Sequence, residues 1–323
     1  MEKFNVKNKS FLVGSILLCI AVLGLGLFWF FKNNQQKNSE SSNISIAMAL
    51  DDGYLYPTIV AMTSIMENAN KNTKYDFYVM HPPEFKTENK EKLKTLEEKY
   101  SRCHINLINM GSQYKNANDK GRITTPTYYR LSLSELLPEI DKIMWLDGDT
   151  LTFHDLNEMY KIDMEGYYYK GFLDDNVNAV KSFDVDNDHC ICAGVMLINL
   201  KELRKDNMVE VFKKFIEENN EKLIQHDQTV INVVCYKKIG ILPAKFGIYS
   251  YDNVKQAREQ ANVYLCSYGY TADELEQAYK NPTVLHCVNK PWKSMSAPFA
   301  DRWWDYARKT DFFEEIHSKY PIF

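Results

Sequence analysis

Short apolar segments alternate with segments of helical character between residues 44 and 146, and this alternation constrains the fold more than any other feature. Four apolar runs have the length of strands: Ile44–Leu50, Tyr75–His81, His104–Met110 and Lys142–Leu146. The segments between them, 56–70, 87–100 and 125–138, have the apolar spacing or the surface charge of helices. Strands that alternate with helices predict an α/β domain with a mostly parallel central sheet.

Acidic residues follow two of these predicted strands directly. Asp51 comes after the first strand and Asp147 after the fourth. In parallel sheets, ligands bind outside the carboxyl ends of the strands. Two acidic strand ends on one edge of the sheet therefore predict a functional site there.

The fourth strand ends in two aspartates, Asp147 and Asp149, with only Gly148 between them. A single aspartate after a strand commonly caps a turn. Two like charges in one turn repel each other, and a cation relieves that repulsion. Carboxylate oxygens suit Mg²⁺ or Mn²⁺, and Mn²⁺ also accepts an imidazole ligand. The pair therefore predicts a site for a divalent ion.

Two classes of enzyme use such a pair. A phosphatase of the haloacid dehalogenase type requires D-x-D-x-T near the start of its domain. Here Leu151 stands where that threonine belongs, and about 100 residues of α/β structure come first, which is the size of a typical domain. The second class is the metal-dependent nucleotide-sugar transferase, in which D-x-D follows the nucleotide-binding half.

Six sequence blocks favour the second class. In chain order they are "ALDDGY", "TPTYYRL", "LDGDT", "CAGVMLINL", "HDQTVIN" and "HCVNKPW". Together they resemble glycosyltransferase family 8, the group that contains glycogenin and the bacterial lipopolysaccharide α-galactosyl- and α-glucosyltransferases. The resemblance extends from Ile44 to Trp292. It implies a GT-A-type nucleotide-sugar transferase fold.

The resemblance also implies a metal site. Asp147, Asp149 and His286 would bind the ion, which is expected to be Mn²⁺, with Mg²⁺ as an alternative. Lys290 would contact the diphosphate of the nucleotide sugar. This division is physically reasonable, because the leaving nucleoside diphosphate gains charge that a metal and a cation stabilise.

The remaining donor contacts are likewise implied by the family. Ala49 and Asp51 would hold uracil and ribose, and Arg130 would reach the donor, although a structural ion pair is the alternative for this arginine. Asp227 would bind sugar hydroxyls and Gln228 would lie under the reacting carbon. The expected nucleotide-sugar site also includes Gly148, Ala193, Gly194 and Asn289.

The expected activity is transfer of galactose or glucose from a UDP-sugar to a glycan or glycolipid. The family retains anomeric configuration, and Gln228 is an amide and hence a poor nucleophile. The resemblance therefore favours a front-face reaction in which the departing phosphate helps to deprotonate the acceptor hydroxyl. One departure is notable, because Cys192 stands where the family usually has Asn. That change supports the alternative of a non-catalytic protein that binds nucleotide sugars or glycans.

The N-terminal segment 11–31, "FLVGSILLCIAVLGLGLFWFF", has no charged residue. At about 1.5 Å per residue it is long enough to cross a hydrocarbon core roughly 30 Å thick. A cleaved signal peptide is the alternative, but such h-regions are shorter. We therefore expect a cytoplasmic tail (1–10), a transmembrane anchor (11–31), a flexible stalk (32–43) and a catalytic domain (44–323).

The slight excess of lysines before the anchor favours a type II, single-pass membrane protein. The catalytic domain would then lie in the Golgi or endoplasmic reticulum lumen of a eukaryote. In a bacterium it would be attached to the inner membrane, with the opposite orientation, because nucleotide sugars are made in the cytosol.

The bulk composition excludes one class of partner and leaves another question open. The net charge of −4 and the absence of a clustered basic excess argue against nucleic-acid binding. The seven cysteines form no zinc pattern. The six outside the anchor would permit disulfides, but we expect most of them to be buried thiols.

Overall fold

A seven-stranded sheet lies at the centre of the protein in the computed structural model, which describes residues 42–117, 125–174, 180–183, 190–250 and 255–321. The strands lie in the order β3-β2-β1-β4-β7-β6-β8. Their bounds are β1 Ser42–Ala49, β2 Thr73–His81, β3 Cys103–Asn109, β4 Lys142–Leu146, β6 Tyr169–Asp174, β7 Cys190–Asn199 and β8 Ile239–Ile241. The four predicted strands are β1 to β4, each within two residues of its expected ends.

The pairing of β1 with β4 explains how the two acidic strand ends meet. These strands are parallel neighbours, with Ile46 opposite Met144 and Ala47 opposite Trp145. Pairing is also parallel between β2 and β3 and between β6 and β8. Only β7 is antiparallel to its neighbours β4 and β6 within the described sheet. The loops after β1 and β4 therefore leave the sheet at the same edge.

Both faces of the sheet are covered, which accounts for the almost wholly apolar strands β1 and β4. Ile46 and Met144 pack in one buried cluster, whereas Ala47 and Trp145 pack in the other. Alternate residues of a strand point to opposite faces. The helices that cover the sheet and complete the fold are α1 Leu55–Glu67, α2 Thr87–Lys99, α3 Leu133–Leu136, α4 Asn157–Tyr160, α5 Leu200–Lys205, α6 Met208–Asn219, α7 His226–Val234, α8 Lys255–Ser267, α9 Ala272–Lys280, α10 Ala300–Arg308 and α11 Phe313–Lys319.

The segment predicted as one helix over 125–138 has a different structure. Thr125–Ser132 is a 3₁₀ helix, and the α-helical part is confined to α3. The 3₁₀ segment contains two threonines, a serine and Pro126, which are weak formers of an α-helix interior. Most of its side chains are buried, Tyr128, Tyr129 and Arg130 among them. Tertiary contacts therefore fix this segment more than helix propensity does.

A second, three-stranded sheet joins distant parts of the chain beside the D-x-D turn. It contains β5 Thr150–Thr152, β10 Val284–His286 and β9 Ile248–Tyr249, in the order β5-β10-β9. His286 lies opposite Thr150 in the antiparallel pair and opposite Tyr249 in the parallel pair. Residues more than 130 positions apart in the sequence are thereby placed side by side.

The predicted tail, the predicted anchor and nearly all of the predicted stalk lie outside the described residues. In the part of the chain that the structure describes, none of the helices is long and apolar enough to cross a membrane. The described residues from Asn43 onward belong to one compact unit.

The buried amide of Asn232 links α7 to the start of β7. Its Oδ1 accepts a hydrogen bond from the backbone N–H of Ile191 at 2.8 Å, and its Nδ2 donates to the carbonyl of Ile191 at 2.9 Å. Nδ2 also donates to the carbonyl of Gln228 at 2.9 Å. The side chain of Asn232 thus makes the hydrogen bonds that a neighbouring strand would otherwise make with the backbone of Ile191.

We expect Asn232→Ala to lower the free energy of unfolding by about 2–4 kcal/mol, because it leaves buried backbone groups unpaired. Urea denaturation followed by circular dichroism measures the change. Asn219→Ala is the control, since its amide bonds the carbonyl of Phe215 on a half-buried helix end. Equal stability of the two variants would contradict this role of Asn232.

Candidate active site

The D-x-D turn lies between β4 and β5, and close packing fixes its shape. The N–H of Asp147 donates to the carbonyl of Gly194 on β7 at 2.8 Å, and Thr150 N–H closes the turn on the carbonyl of Asp147 at 3.2 Å. A Cβ atom at Gly148 would lie 2.4 Å from the hydroxyl oxygen of Thr58 on α1. Glycine is therefore required between the two aspartates by contact with α1.

The strand β10 brings His286 to the two aspartates. One potential ligand atom from each of Asp147, Asp149 and His286 lies within 4.8 Å of the others. Nε2 of His286 is 3.1 Å from Oδ1 of Asp149 and 3.9 Å from Oδ2 of Asp147. Oδ1 of Asp149 is buried and, among the described residues, has no partner in hydrogen-bonding geometry. Two carboxylates and an imidazole this close together, one of them with an oxygen that lacks a hydrogen-bond partner, suit a divalent ion such as Mn²⁺.

Lys290 completes the charge balance of this acidic cluster. Its ammonium group pairs with Oδ2 of Asp149 and also donates to the carbonyl of Cys287 at 3.0 Å. Burial works against ionisation of Asp149, which is 7% exposed, but Lys290 and His286 hold its pKa well below the usual range. Burial would lower the pKa of His286, yet Cys192 and Asp149 raise that pKa well above its ordinary value.

Arg130 lies beneath the cluster and connects two acidic residues. Its guanidinium is buried, 3.0 Å from Oδ1 of Asp147 and 2.9 Å from Oδ2 of Asp227. It stacks over the ring of Trp145 at 4.2 Å and donates to the carbonyl of Ala193. These contacts are structural, so the ion pair considered as the alternative is present. The expected contact of Arg130 with the donor stays a prediction.

Asp227 lies in the first turn of α7 with both carboxylate oxygens close to partners. Oδ1 accepts a hydrogen bond from the hydroxyl of Thr127, and Oδ2 faces Arg130. Burial raises the pKa of this carboxyl from 3.8 to about 6, Arg130 and Thr127 act in the opposite direction, and Asp147 adds to the rise. A hydrogen bond from Asp227 to a sugar hydroxyl stays a prediction.

The amide of Gln228 is held in one orientation. Its Oε1 accepts from the backbone N–H of Ala193 at 2.9 Å, and its Nε2 donates to Oδ2 of Asp174 at 2.6 Å and to Oε1 of Gln225 at 3.0 Å. Asp174 also accepts from the hydroxyl of Tyr249 at 3.0 Å. Our sequence analysis missed Asp174. It ends the apolar strand β6, so the pattern that identified Asp51 and Asp147 would have identified it as well.

The loop after β1 faces the same cluster. Ala49 is the last residue of β1, and Oδ1 of Asp51 accepts the N–H groups of Gly53 and Tyr54 at 2.8 and 3.1 Å. A Cβ atom at Gly148 would lie 3.4 Å from Cδ1 of Tyr54, so this ring borders the D-x-D turn. Burial raises the pKa of Tyr54, and the charges of Asp149, Asp147 and Asp51 add to the rise. Sequence reasoning did not single out Tyr54.

The closing block of the domain, residues 286–292, contacts the loop after β1 and the backbone of Ser250. The ring of Tyr54 packs edge-on against Trp292, with centroids 6.1 Å apart. The amide of Asn289 donates to the carbonyl of Ser250 at 3.3 Å. The block "HCVNKPW" therefore supplies His286 and Lys290 to the cluster and a packing surface to the β1 loop.

The cysteines agree with the expectation of buried thiols. Within the described ranges they are free, and all are buried except Cys266.

The family model described as Glycosyl transferase family 8 matches residues 45–296. The chain therefore belongs to glycosyltransferase family 8, and the resemblance inferred from the six blocks is confirmed. General stress protein A of Bacillus subtilis (strain 168) is 24% identical to this chain over 275 residues, which cover 82% of this chain and 93% of the relative. Lipopolysaccharide 1,2-glucosyltransferase of Escherichia coli is 26% identical over 297 residues, covering 88% of this chain and 81% of the relative.

Solved structures confirm the GT-A-like α/β fold with its mostly parallel sheet. The galactosyltransferase LgtC, solved in complex with donor and acceptor sugar analogues, matches with a TM-score of 0.67 at 22% identity, over 83% of this chain and 96% of that chain. The apo structure of the bifunctional glycosyltransferase WbbM matches with a TM-score of 0.70 at 20% identity, over 87% of this chain. The present chain spans about half of WbbM, 52% of its length.

Gly194 is the second glycine that close contact requires. A Cβ atom there would lie 2.4 Å from Cε1 of His286 and 2.9 Å from Oδ2 of Asp147. We expect Gly194→Ala to displace the imidazole and to weaken Mn²⁺ binding at least about 10-fold, since metal sites depend on fixed ligand orientation. Electron paramagnetic resonance of free Mn²⁺ measures the affinity. Gly240→Ala on β8, where a Cβ atom would meet the flexible side chain of Lys170, is the control for replacing a glycine, and unchanged affinity in Gly194→Ala would contradict the prediction.

Asp227 should make stability depend on pH in a defined window. Because its pKa is raised from 3.8 to about 6 on folding, the folded state holds the proton more tightly, so this group's stabilisation is greatest below pH ~4 and is lost as the pH rises towards ~6. We expect wild type to lose up to ~3 kcal/mol relative to Asp227→Asn across that window.

Urea denaturation of both proteins between pH ~4 and ~7 provides the measurement. Asp163→Asn, at an exposed carboxylate, is the matched control. A difference in unfolding free energy that stays constant over this range would show that Asp227 does not titrate there.

Proposed function

We propose that the protein is a metal-dependent, retaining hexosyltransferase that moves galactose or glucose from a UDP-sugar to a glycan or glycolipid. The observation that carries the proposal is the cluster of Asp147, Asp149 and His286 with Lys290 against it, at the strand ends of a family 8 domain. The names of the relatives, a lipopolysaccharide glucosyltransferase and a galactosyltransferase, support a hexose donor and a saccharide acceptor.

The cation end of the site would act on the leaving group. Asp147, Asp149 and His286 would hold Mn²⁺ or Mg²⁺, which when bound supplies Lewis-acid stabilisation of the diphosphate. Lys290 would exchange part of its contact with Asp149 for a diphosphate oxygen, and so add a second positive charge where negative charge develops. Arg130 would hold the Asp147 carboxylate in a fixed direction, since its guanidinium is 3.0 Å from Oδ1.

At the sugar, the protein would orient the reacting groups and would form no covalent bond with the donor. Gln228 accepts a hydrogen bond from Ala193 N–H and donates one to Asp174, and these two bonds fix the orientation of its amide. An amide is a poor nucleophile, so Gln228 would support the cation-like sugar through its carbonyl. The acceptor hydroxyl would attack on the face that the phosphate leaves, and its proton would pass to the departing phosphate oxygen. Retention of anomeric configuration follows from this geometry.

The uncharged segment 11–31 supports a proposal on location. It would anchor the enzyme in a membrane as a single-pass protein of type II, and the acceptor would then belong to a membrane-attached pathway. The compartment would be a Golgi or endoplasmic reticulum lumen in a eukaryote. In a bacterium the domain would lie at the cytosolic face of the inner membrane, which requires the opposite orientation.

A non-catalytic binding protein of the same fold is the second candidate. Its support is Cys192 in place of the family's usual Asn. It and the enzyme differ in one observable, the turnover of a bound UDP-sugar.

The experiment is UDP release by the full-length protein in detergent, across a panel of nucleotide sugars, with Mn²⁺ or with a chelator. We expect one UDP-hexose to be hydrolysed or transferred only with the ion, and Asp149→Asn to lower the rate ~10³-fold or more, since it removes one charged ligand. Asp163→Asn is the control. Activity that survives chelation would contradict metal dependence, and Mn²⁺-dependent UDP binding without turnover would favour the binding protein.

A further inference from the structure

The thiol of Cys192 lies on the side of His286 that faces away from the two aspartates. Its Sγ is 3.3 Å from Nδ1 of the imidazole, while Nε2 of the same ring lies 3.1 Å from Asp149. The N–H of Gly194 donates to the same sulfur at 3.2 Å. Cys192 is 2% exposed, so this contact is shielded from water.

We infer that Cys192 is a positioning residue for the metal ligand His286. Its sulfur accepts a hydrogen bond from Nδ1–H and thereby leaves the lone pair of Nε2 directed at Asp147 and Asp149. Histidines that bind metals donate their second ring N–H to a neighbouring acceptor, which fixes the tautomer and the ring orientation. The inference rests on the proposed metal site.

The other contacts of the His286 imidazole leave Cys192 as the residue that fixes the orientation of the ring. A Cβ atom at Gly194 would overlap the imidazole, so one side of the ring is in close contact with the backbone of β7. The ring of Tyr249 lies on another side, with centroids 5.5 Å apart. Among the contacts of the described residues, the sulfur of Cys192 is the polar atom within hydrogen-bonding distance of Nδ1.

A hydrogen bond to His286 gives Cys192 a function at the position where the family usually has Asn. Loss of the usual asparagine would suggest a decayed site if the cysteine were only a small apolar residue. Here the cysteine instead contacts a ligand of the ion, and sulfur has the long bonds and the acceptor capacity to reach Nδ1. Cys192 then contributes to ion binding by orienting His286.

The test measures Mn²⁺ affinity of the full-length protein by electron paramagnetic resonance of free Mn²⁺, with the melting temperature recorded beside it. We expect Cys192→Val, which has a similar size and no hydrogen-bonding group, to weaken Mn²⁺ binding 10- to 100-fold. Cys192→Ser keeps an acceptor and should stay within a few-fold of wild type. Cys190→Val is the matched control, because this buried thiol lies on the same strand and packs beside Val180 and Val233.

The outcomes separate this inference from the proposed function. Weaker binding in Cys192→Val with recovery in Cys192→Ser supports it, whatever the melting temperatures do. If wild type binds Mn²⁺ and Cys192→Val binds it equally well, the positioning role is wrong and the proposed function stands. If Cys192→Val does not fold, Cys192→Ala takes its place with the same expected loss. If wild type binds no divalent ion, the inference and the metal-dependent function are both wrong.

Discussion

The electrostatic balance of Asp147 and Asp149 is the constraint on which the rest of the site depends. Two carboxylates in one turn, one of them buried, repel each other and lose hydration. Arg130 approaches from below, and His286 and Lys290 approach from the closing block of the domain. The positions of Arg130, His286 and Lys290 follow from the 3₁₀ segment, from β10 and from the loop after it. The acidic pair therefore determines what several distant segments must supply.

Much of the fold followed from local patterns. The strands β1 to β4 were predicted from short, largely apolar runs, and residues on both faces of β1 and β4 are buried in the core. The acidic ends of β1 and β4 were assigned to one edge because parallel neighbours end together. His286 was different, since a histidine at the end of a three-residue strand has no local signal. Only the resemblance of the surrounding block identified it.

Long-range contacts account for what the sequence did not reveal. The reversed direction of β7 depends on its pairing with β4 and β6, and no spacing within β7 encodes it. The 3₁₀ form of the segment around Arg130 depends on burial. The ion pairs of Arg130 with Asp147 and Asp227 likewise join segments that are far apart in the sequence. Tyr54 enters the site through packing against Trp292, a contact between the two ends of the domain.

The small sheet has a consequence for how the protein is made. Its pairing of β5 with β10 joins Thr150 to His286, so one half of the ion site is synthesised long before the other. Domains form as their segments leave the ribosome, and contacts of high sequence separation close late. Until β10 and the loop after it have emerged, the turn holding Asp147 and Asp149 lacks its contacts with His286 and Lys290. The ion site is therefore complete only after residues near the end of the domain have been synthesised and β10 has paired with β5.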